Sequence, residues 1–104
     1  MTTAKHVTVD RVDHIGIRVR DFERAMAFYE VLGFELKHRV EFDAVAIIRN
    51  RQGVEINLIL NAKEDEPNIL MDVPVKHAGY THVALHVASV KDTIDALKAS
   101  DITI

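Results

Sequence analysis

The sequence predicts an α+β fold built from two β-α-β-β-β modules, and the main evidence is an internal repeat. A stretch beginning at Val12 reads VDHIGIRVRDFERAMAFYEVLGFEL, and 68 residues later it returns from Tyr80 as YTHVALHVASVKDTIDALKASDITI. His14 falls on His82, and apolar positions fall on apolar positions. Self-similarity at a fixed offset identifies a structural unit used twice. Because 104 residues are too few for two independent cores, residues 1–104 are expected to form a single domain with a shared core.

Module one, about residues 12–61, is predicted from side-chain periodicity. Asp13 to Val19 alternates polar and apolar residues, as a strand buried on one side does. Asp21 predicts the N-cap of a helix of about ten residues, and Gly33 predicts its C-terminal cap. Three further strands are expected, at Phe34 to Val40, Ala44 to Asn50 and Val54 to Asn61.

Residues 62–79 are interpreted as a linker, and residues 80–104 as a partial module two. The linker is charged at first and then apolar, so a lid over a cavity or a contact with a partner chain is the alternative. Module two is predicted to have a strand at Thr81 to Val87, a helix opened by Ser89 and the start of a strand at Ile102 to Ile104. Its last strand would fall near positions 122–129. The second module therefore looks incomplete at its C-terminus, and we expect either a longer natural chain or a second subunit that completes the sheet.

Composition narrows the function classes. The net charge is −3 and charges of both signs are interleaved, so no basic stripe for nucleic acid is present. The N-terminus has no signal-peptide h-region and no run of about 18 apolar residues occurs, which predicts a cytoplasmic protein with no membrane partner. Cysteine is absent, so any metal must be bound by nitrogen and oxygen.

The repeat makes His14 and His82 the candidate metal ligands. Both lie on the polar face of the first strand of their module, and a pseudo-twofold axis would bring the two imidazoles towards a common centre. Imidazole suits transition metals such as iron, nickel and zinc. The alternative is that each is a polar residue on a half-exposed strand.

Four further residues are candidate site residues. His86 follows His82 by four residues, which on a strand is about 13 Å, too far to share one ion. It is therefore expected to line a cavity, and Arg18, its counterpart in module one, is expected to bind an anionic substrate group or to face water. Glu55 and Asn57 share the polar face of the fourth strand. Glu55 is the better ligand and the only plausible proton acceptor of the two, whereas Asn57 lies where a site residue is expected.

Three of these stretches together resemble the vicinal oxygen chelate superfamily of glyoxalase, bleomycin-resistance and extradiol dioxygenase proteins. They are VDHIGIRVRDFERAMAFYEVLGFEL, GVEINLIL and GYTHVALHV. The resemblance implies a cup of paired modules around a divalent metal, iron, manganese, nickel or zinc, with His14 and His82 matching the ligands on the first and fifth strands. Asn57 matches the position where glyoxalases carry glutamate or glutamine. Dimers are common in such proteins, so a homodimer is expected.

Three functions follow as hypotheses. The first is a metal-dependent glyoxalase-like lyase or isomerase that acts on a small oxygenated substrate, where the metal stabilises an enolate or oxyanion. The second is an extradiol-type dioxygenase that uses ferrous iron, which the missing fourth-strand carboxylate favours. The third is a metal-free protein that binds a drug or metabolite, as the bleomycin-resistance relatives do.

Overall fold

A mixed β-sheet and two helices make up the fold in the computed structural model, which describes residues 6–63 and 65–103. The strands are β1 (Ile15–Arg18), β2 (Glu35–Val40), β3 (Val45–Arg49) and β4 (Glu55–Ile59), and the helices are α1 (Phe22–Val31) and α2 (Val90–Ala99). The sheet order is β1-β4-β3-β2. β1 is parallel to β4, and the other two pairs are antiparallel. The α+β prediction and the β-α-β-β-β order of module one are therefore confirmed.

Both helices begin where the sequence predicts, because a capping side chain satisfies a backbone donor at each start. The Asp21 carboxylate accepts from the amide of Arg24 at 3.1 Å, and the Ser89 hydroxyl accepts from the amide of Asp92 at 3.1 Å. Such a cap contributes about 1 kcal/mol. Gly33 follows α1 with φ of 89°, a conformation that glycine adopts without the steric cost of a Cβ.

The core lies between α1 and one face of the sheet. Ile48, Ile56 and Leu58 are fully buried there, and Met26 of α1 packs against them together with Phe34. These strand residues alternate with the side chains of the opposite face, which carries Glu55 and Asn57 on β4. The polar and apolar faces of β4 are thus divided as the sequence predicts.

Module two differs from the prediction in its strands. Among residues 80–103, Thr81 to Val87 form no backbone ladder and Ile102 begins no strand, while Ile104 lies outside the described residues. Alternation sets the faces of a segment, but a strand also needs a neighbouring backbone for its N–H and C=O groups. α2 forms as predicted, buries Leu97 and contacts α1. None of the helices described is long and apolar enough to cross a membrane.

The apolar part of residues 62–79 is largely exposed. Ile69, Met71 and Val75 are each more than half exposed, while Leu70 packs closely over Gly79. Near its start, the segment is attached to the loop between β1 and α1, because the Arg20 guanidinium donates to the backbone oxygen of Glu66. Whether residues 62–79 act as a linker, a lid or a contact with a partner chain stays a prediction.

The turn between β2 and β3 contains a residue in a strained backbone conformation. Ala44 has φ of 50°, in the left-handed region that disfavours a residue with a Cβ. Ala44→Gly is expected to raise the free energy of unfolding by about 0.5 to 1 kcal/mol, after the extra chain entropy of glycine is subtracted. Urea unfolding measures the effect. Ala46→Gly, at a fully buried position of β3, is the control and should destabilise; a lower free energy for Ala44→Gly would contradict the reasoning.

Candidate functional site

His14 and Glu55 meet at one end of the sheet. Ile15 of β1 is paired with Ile56 of β4, so the residues just before them come side by side and point to the same face. His14 Nδ1 lies 3.9 Å from Glu55 Oε2. The parallel pairing of β1 with β4 therefore brings together two of the predicted site residues, which are 41 positions apart in the sequence.

Asp13 adds a second carboxylate. Its Oδ1 lies 2.8 Å from His14 Nδ1, and ligand atoms of Asp13, His14 and Glu55 all lie within 4.8 Å of one another. The hydrogen bond with His14, and then the charge of that imidazole, lower the pKa of Asp13. An ionised carboxylate only accepts hydrogen bonds, so this bond needs a proton on Nδ1. In the neutral imidazole, that tautomer leaves a lone pair on Nε2 that can bind a cation.

Glu55 is the least exposed charged group of this cluster. Its side chain is 18% exposed, against 44% for His14 and 73% for Asp13. Arg49 donates to Glu55 Oε1 from Nη2 at 2.6 Å and from Nε at 3.1 Å. The other oxygen, Oε2, is the one that faces His14.

A cavity of about 470 Å³ lies beside the cluster. Asp13, His14 and Glu55 line it from module one, and His86 lines it from module two. Much of the remaining lining is apolar, including Leu32, Phe34, Val54, Val83, Leu85 and Val87. The residues described as lining it include two carboxylates and no lysine or arginine, so the cavity suits an uncharged or cationic ligand better than an anionic one.

Asn57 leaves a polar atom without a partner. Its Oδ1 is buried and accepts no hydrogen bond from the described residues. The backbone of Asn57 is paired with Gly16 on one side and Ile47 on the other, so the side chain rises from the middle of the sheet. A buried acceptor without a donor costs about 1 to 3 kcal/mol. Asn57 is not among the residues that line the cavity.

The other predicted site residues are not brought into the cluster. His82 is exposed, and its Nδ1 lies 2.8 Å from the Thr81 hydroxyl. It neither joins the three-residue cluster nor lines the cavity. Arg18 donates from Nε to Asn61 Oδ1 at 3.0 Å, which ties the end of β1 to the chain beyond β4. Metal binding by His82 and substrate binding by Arg18 stay predictions.

Sequence reasoning missed Asp13 and Arg49. Asp13 is adjacent to His14, and an acceptor next to a candidate ligand is a usable signal. Arg49 and Glu55 flank the turn that the sequence predicts at Arg51 to Gly53. Pairing the two predicted strands across that turn would have placed Arg49 opposite Glu55, which is the pairing seen between β3 and β4.

Comparisons with known proteins identify the superfamily of this chain. Residues 11–104 match the family described as the Glyoxalase/Bleomycin resistance protein/Dioxygenase superfamily, and the chain belongs to that superfamily. No curated protein matches the chain significantly.

Two solved structures share the fold. One is a glyoxalase family protein from Bacillus cereus, 20% identical, with a TM-score of 0.61; the match covers 93% of this chain and 76% of that one. The other is the protein SMU.1112c, 22% identical, with a TM-score of 0.63; the match covers 88% of this chain and 75% of that one. At these identities the likeness shows the fold alone.

Proposed function

We propose that this chain is a metal-dependent glyoxalase-like lyase or isomerase that acts on a small oxygenated substrate. The observation that carries the proposal is the placement of the His14 imidazole and the Glu55 carboxylate, 3.9 Å apart, at the wall of a cavity. Membership of the superfamily supports it.

His14, through a ring nitrogen, and Glu55, through Oε2, are the residues that would hold the metal. An imidazole and a carboxylate are a donor set that fits iron, manganese, nickel or zinc. Asp13 holds the imidazole in the tautomer that leaves Nε2 unprotonated. His82 remains the predicted ligand from module two. When bound, such a metal supplies a Lewis acid that polarises a substrate oxygen.

Glu55 is also the proposed proton acceptor. It is the most buried carboxylate of the cluster, it lines the cavity, and its Oε2 lies 3.9 Å from His14 Nδ1. Oε1 already accepts two hydrogen bonds from Arg49. Oε2 is therefore the oxygen available for either role of Glu55, as metal ligand or as base.

The cavity favours a substrate with an apolar body and uncharged oxygens. Its apolar wall would bury the body, and His86 offers an imidazole for a hydrogen bond. Asn57 keeps its predicted role as the other substrate contact, although it is not among the residues that line the cavity. Arg18 keeps its predicted role as a substrate contact, although its Nε is already bonded to Asn61.

A titration with Co²⁺, Zn²⁺ and Mn²⁺ tests the metal part of the proposal. We expect one equivalent to bind. At a free metal concentration of about 100 times Kd, binding should stabilise the fold by about 2.7 kcal/mol, or about 12 °C in Tm. A chelator should reverse the shift. A Tm that is unchanged by all three metals would contradict the proposal.

A metal-free protein that binds a drug or metabolite is the second candidate. The largely apolar cavity wall and the position of His82 outside the cluster favour it. Ligand binding unaffected by chelator would support it. Oxygen consumption by the iron-loaded protein with catechols would support an extradiol-type dioxygenase instead. The homodimer also stays a prediction, to be tested by the mass in solution.

A further inference from the structure

We infer that Arg49 is a positioning residue that reserves one oxygen of Glu55 for the metal. This inference rests on the proposed function, because it concerns the ligand atom that Glu55 would offer. Arg49 itself does not line the cavity. It therefore acts through Glu55.

The hairpin fixes Arg49 opposite Glu55. The two residues are paired in the antiparallel register of β3 and β4. In the turn between them, the side-chain oxygen of Asn50 accepts from the backbone N–H of Val54 at 2.8 Å, and the backbone N–H of Asn50 donates to the carbonyl oxygen of Val54 at 3.1 Å. Gly53 adopts the positive φ of 88° that this turn contains. A turn closed by these bonds prevents the strands from slipping by one residue, which would move Arg49 to the other face of the sheet.

The guanidinium uses two nitrogens on a single oxygen. Nη2 and Nε of Arg49 lie 2.6 and 3.1 Å from Glu55 Oε1, and neither bond goes to Oε2. The planar fork of arginine fixes the carboxylate more firmly than a single ammonium would. As a result, Oε2 is held towards His14, and Glu55 is set to bind a metal through one oxygen.

Co²⁺ binding by Arg49→Lys tests this role with little change of charge. Lysine keeps the positive charge and loses the fork, so a change in affinity reports geometry. We expect the variant to bind Co²⁺ about 10-fold more weakly than wild type does, which is the effect of removing a residue that orients a metal ligand. Its visible absorption spectrum with Co²⁺ should also change. Exposed ion pairs contribute little stability, so the variant should fold. Thermal unfolding checks this.

Arg39→Lys is the matched control, because Arg39 of β2 pairs with Glu41 in the turn that follows this strand, and neither residue lines the cavity. Its Co²⁺ affinity and spectrum should equal those of wild type. In a Glu55→Gln background, Arg49→Lys should have no further effect, because the two residues act as a unit.

The outcomes separate the two proposals. If wild type binds no Co²⁺, both the proposed function and the role of Arg49 are wrong. If wild type binds Co²⁺ and Arg49→Lys binds it equally well, only the role of Arg49 is overturned. If Arg49→Lys lowers the Co²⁺ affinity by the same factor in the wild-type and in the Glu55→Gln background, the role of Arg49 is also overturned.

Discussion

His14→Ala is expected to weaken Co²⁺ binding by on the order of 100-fold or more. His14 is the nitrogen donor of the cluster, and Asp13 and Glu55 are both placed around its ring. Without the imidazole, two carboxylates remain, a set that suits hard ions such as Mg²⁺ better than cobalt or zinc. The measurement is a Co²⁺ titration followed by visible absorption.

His38→Ala is the matched control, because His38 is an exposed histidine of β2, outside the cluster. Its affinity should equal that of wild type. His82→Ala, measured in the same way, tests the ligand predicted from the internal repeat: a loss comparable to that of His14→Ala would confirm that both modules bind one ion. Wild-type affinity in His14→Ala would refute the proposed centre.

Leu58→Ala is expected to lower the free energy of unfolding by about 3 kcal/mol or more. Leu58 is fully buried, and β4, which carries it, lies between β1 and β3 in the sheet. Truncation would remove buried methyl groups and leave a cavity between the sheet and α1. Because native domains are stable by only about 5 to 15 kcal/mol, this is a large fraction of the total. Urea unfolding measures it.

Leu36→Ala provides the comparison for Leu58→Ala. Leu36 on β2 is 45% exposed, so the same truncation should cost well under half as much. Equal effects at the two positions would contradict the assignment of the core to the face of β4 that packs on α1.

Module one was predictable from the sequence because its signals are local. Helical spacing and the caps at Asp21 and Gly33 predicted α1, and alternation predicted the strands and the buried residues Ile56 and Leu58. Strand ends differ by one or two residues, because backbone hydrogen bonds define them and alternation does not. Thr81 to Val87 alternates as well as β1 does, yet forms no ladder in the part of the chain described.

The site was predictable in part for a related reason. His14 was found from the repeat and Glu55 from the face of its strand, and both point to one end of the sheet. Asp13 and Arg49 were missed because their contributions depend on side-chain conformations and on cross-strand register. The lining of the cavity by His86 but not by His82 depends on how residues 80–87 pass the sheet end, which no local pattern encodes.

Anomalous diffraction from crystals grown with Co²⁺ would test the central claim most directly. The proposed site predicts one peak within bonding distance of a ring nitrogen of His14 and of Oε2 of Glu55, with Asp13 still bonded to the other ring nitrogen. A peak bound elsewhere and touching neither residue, or crystals of the Co²⁺-saturated protein with no peak at this end of the sheet, would contradict it.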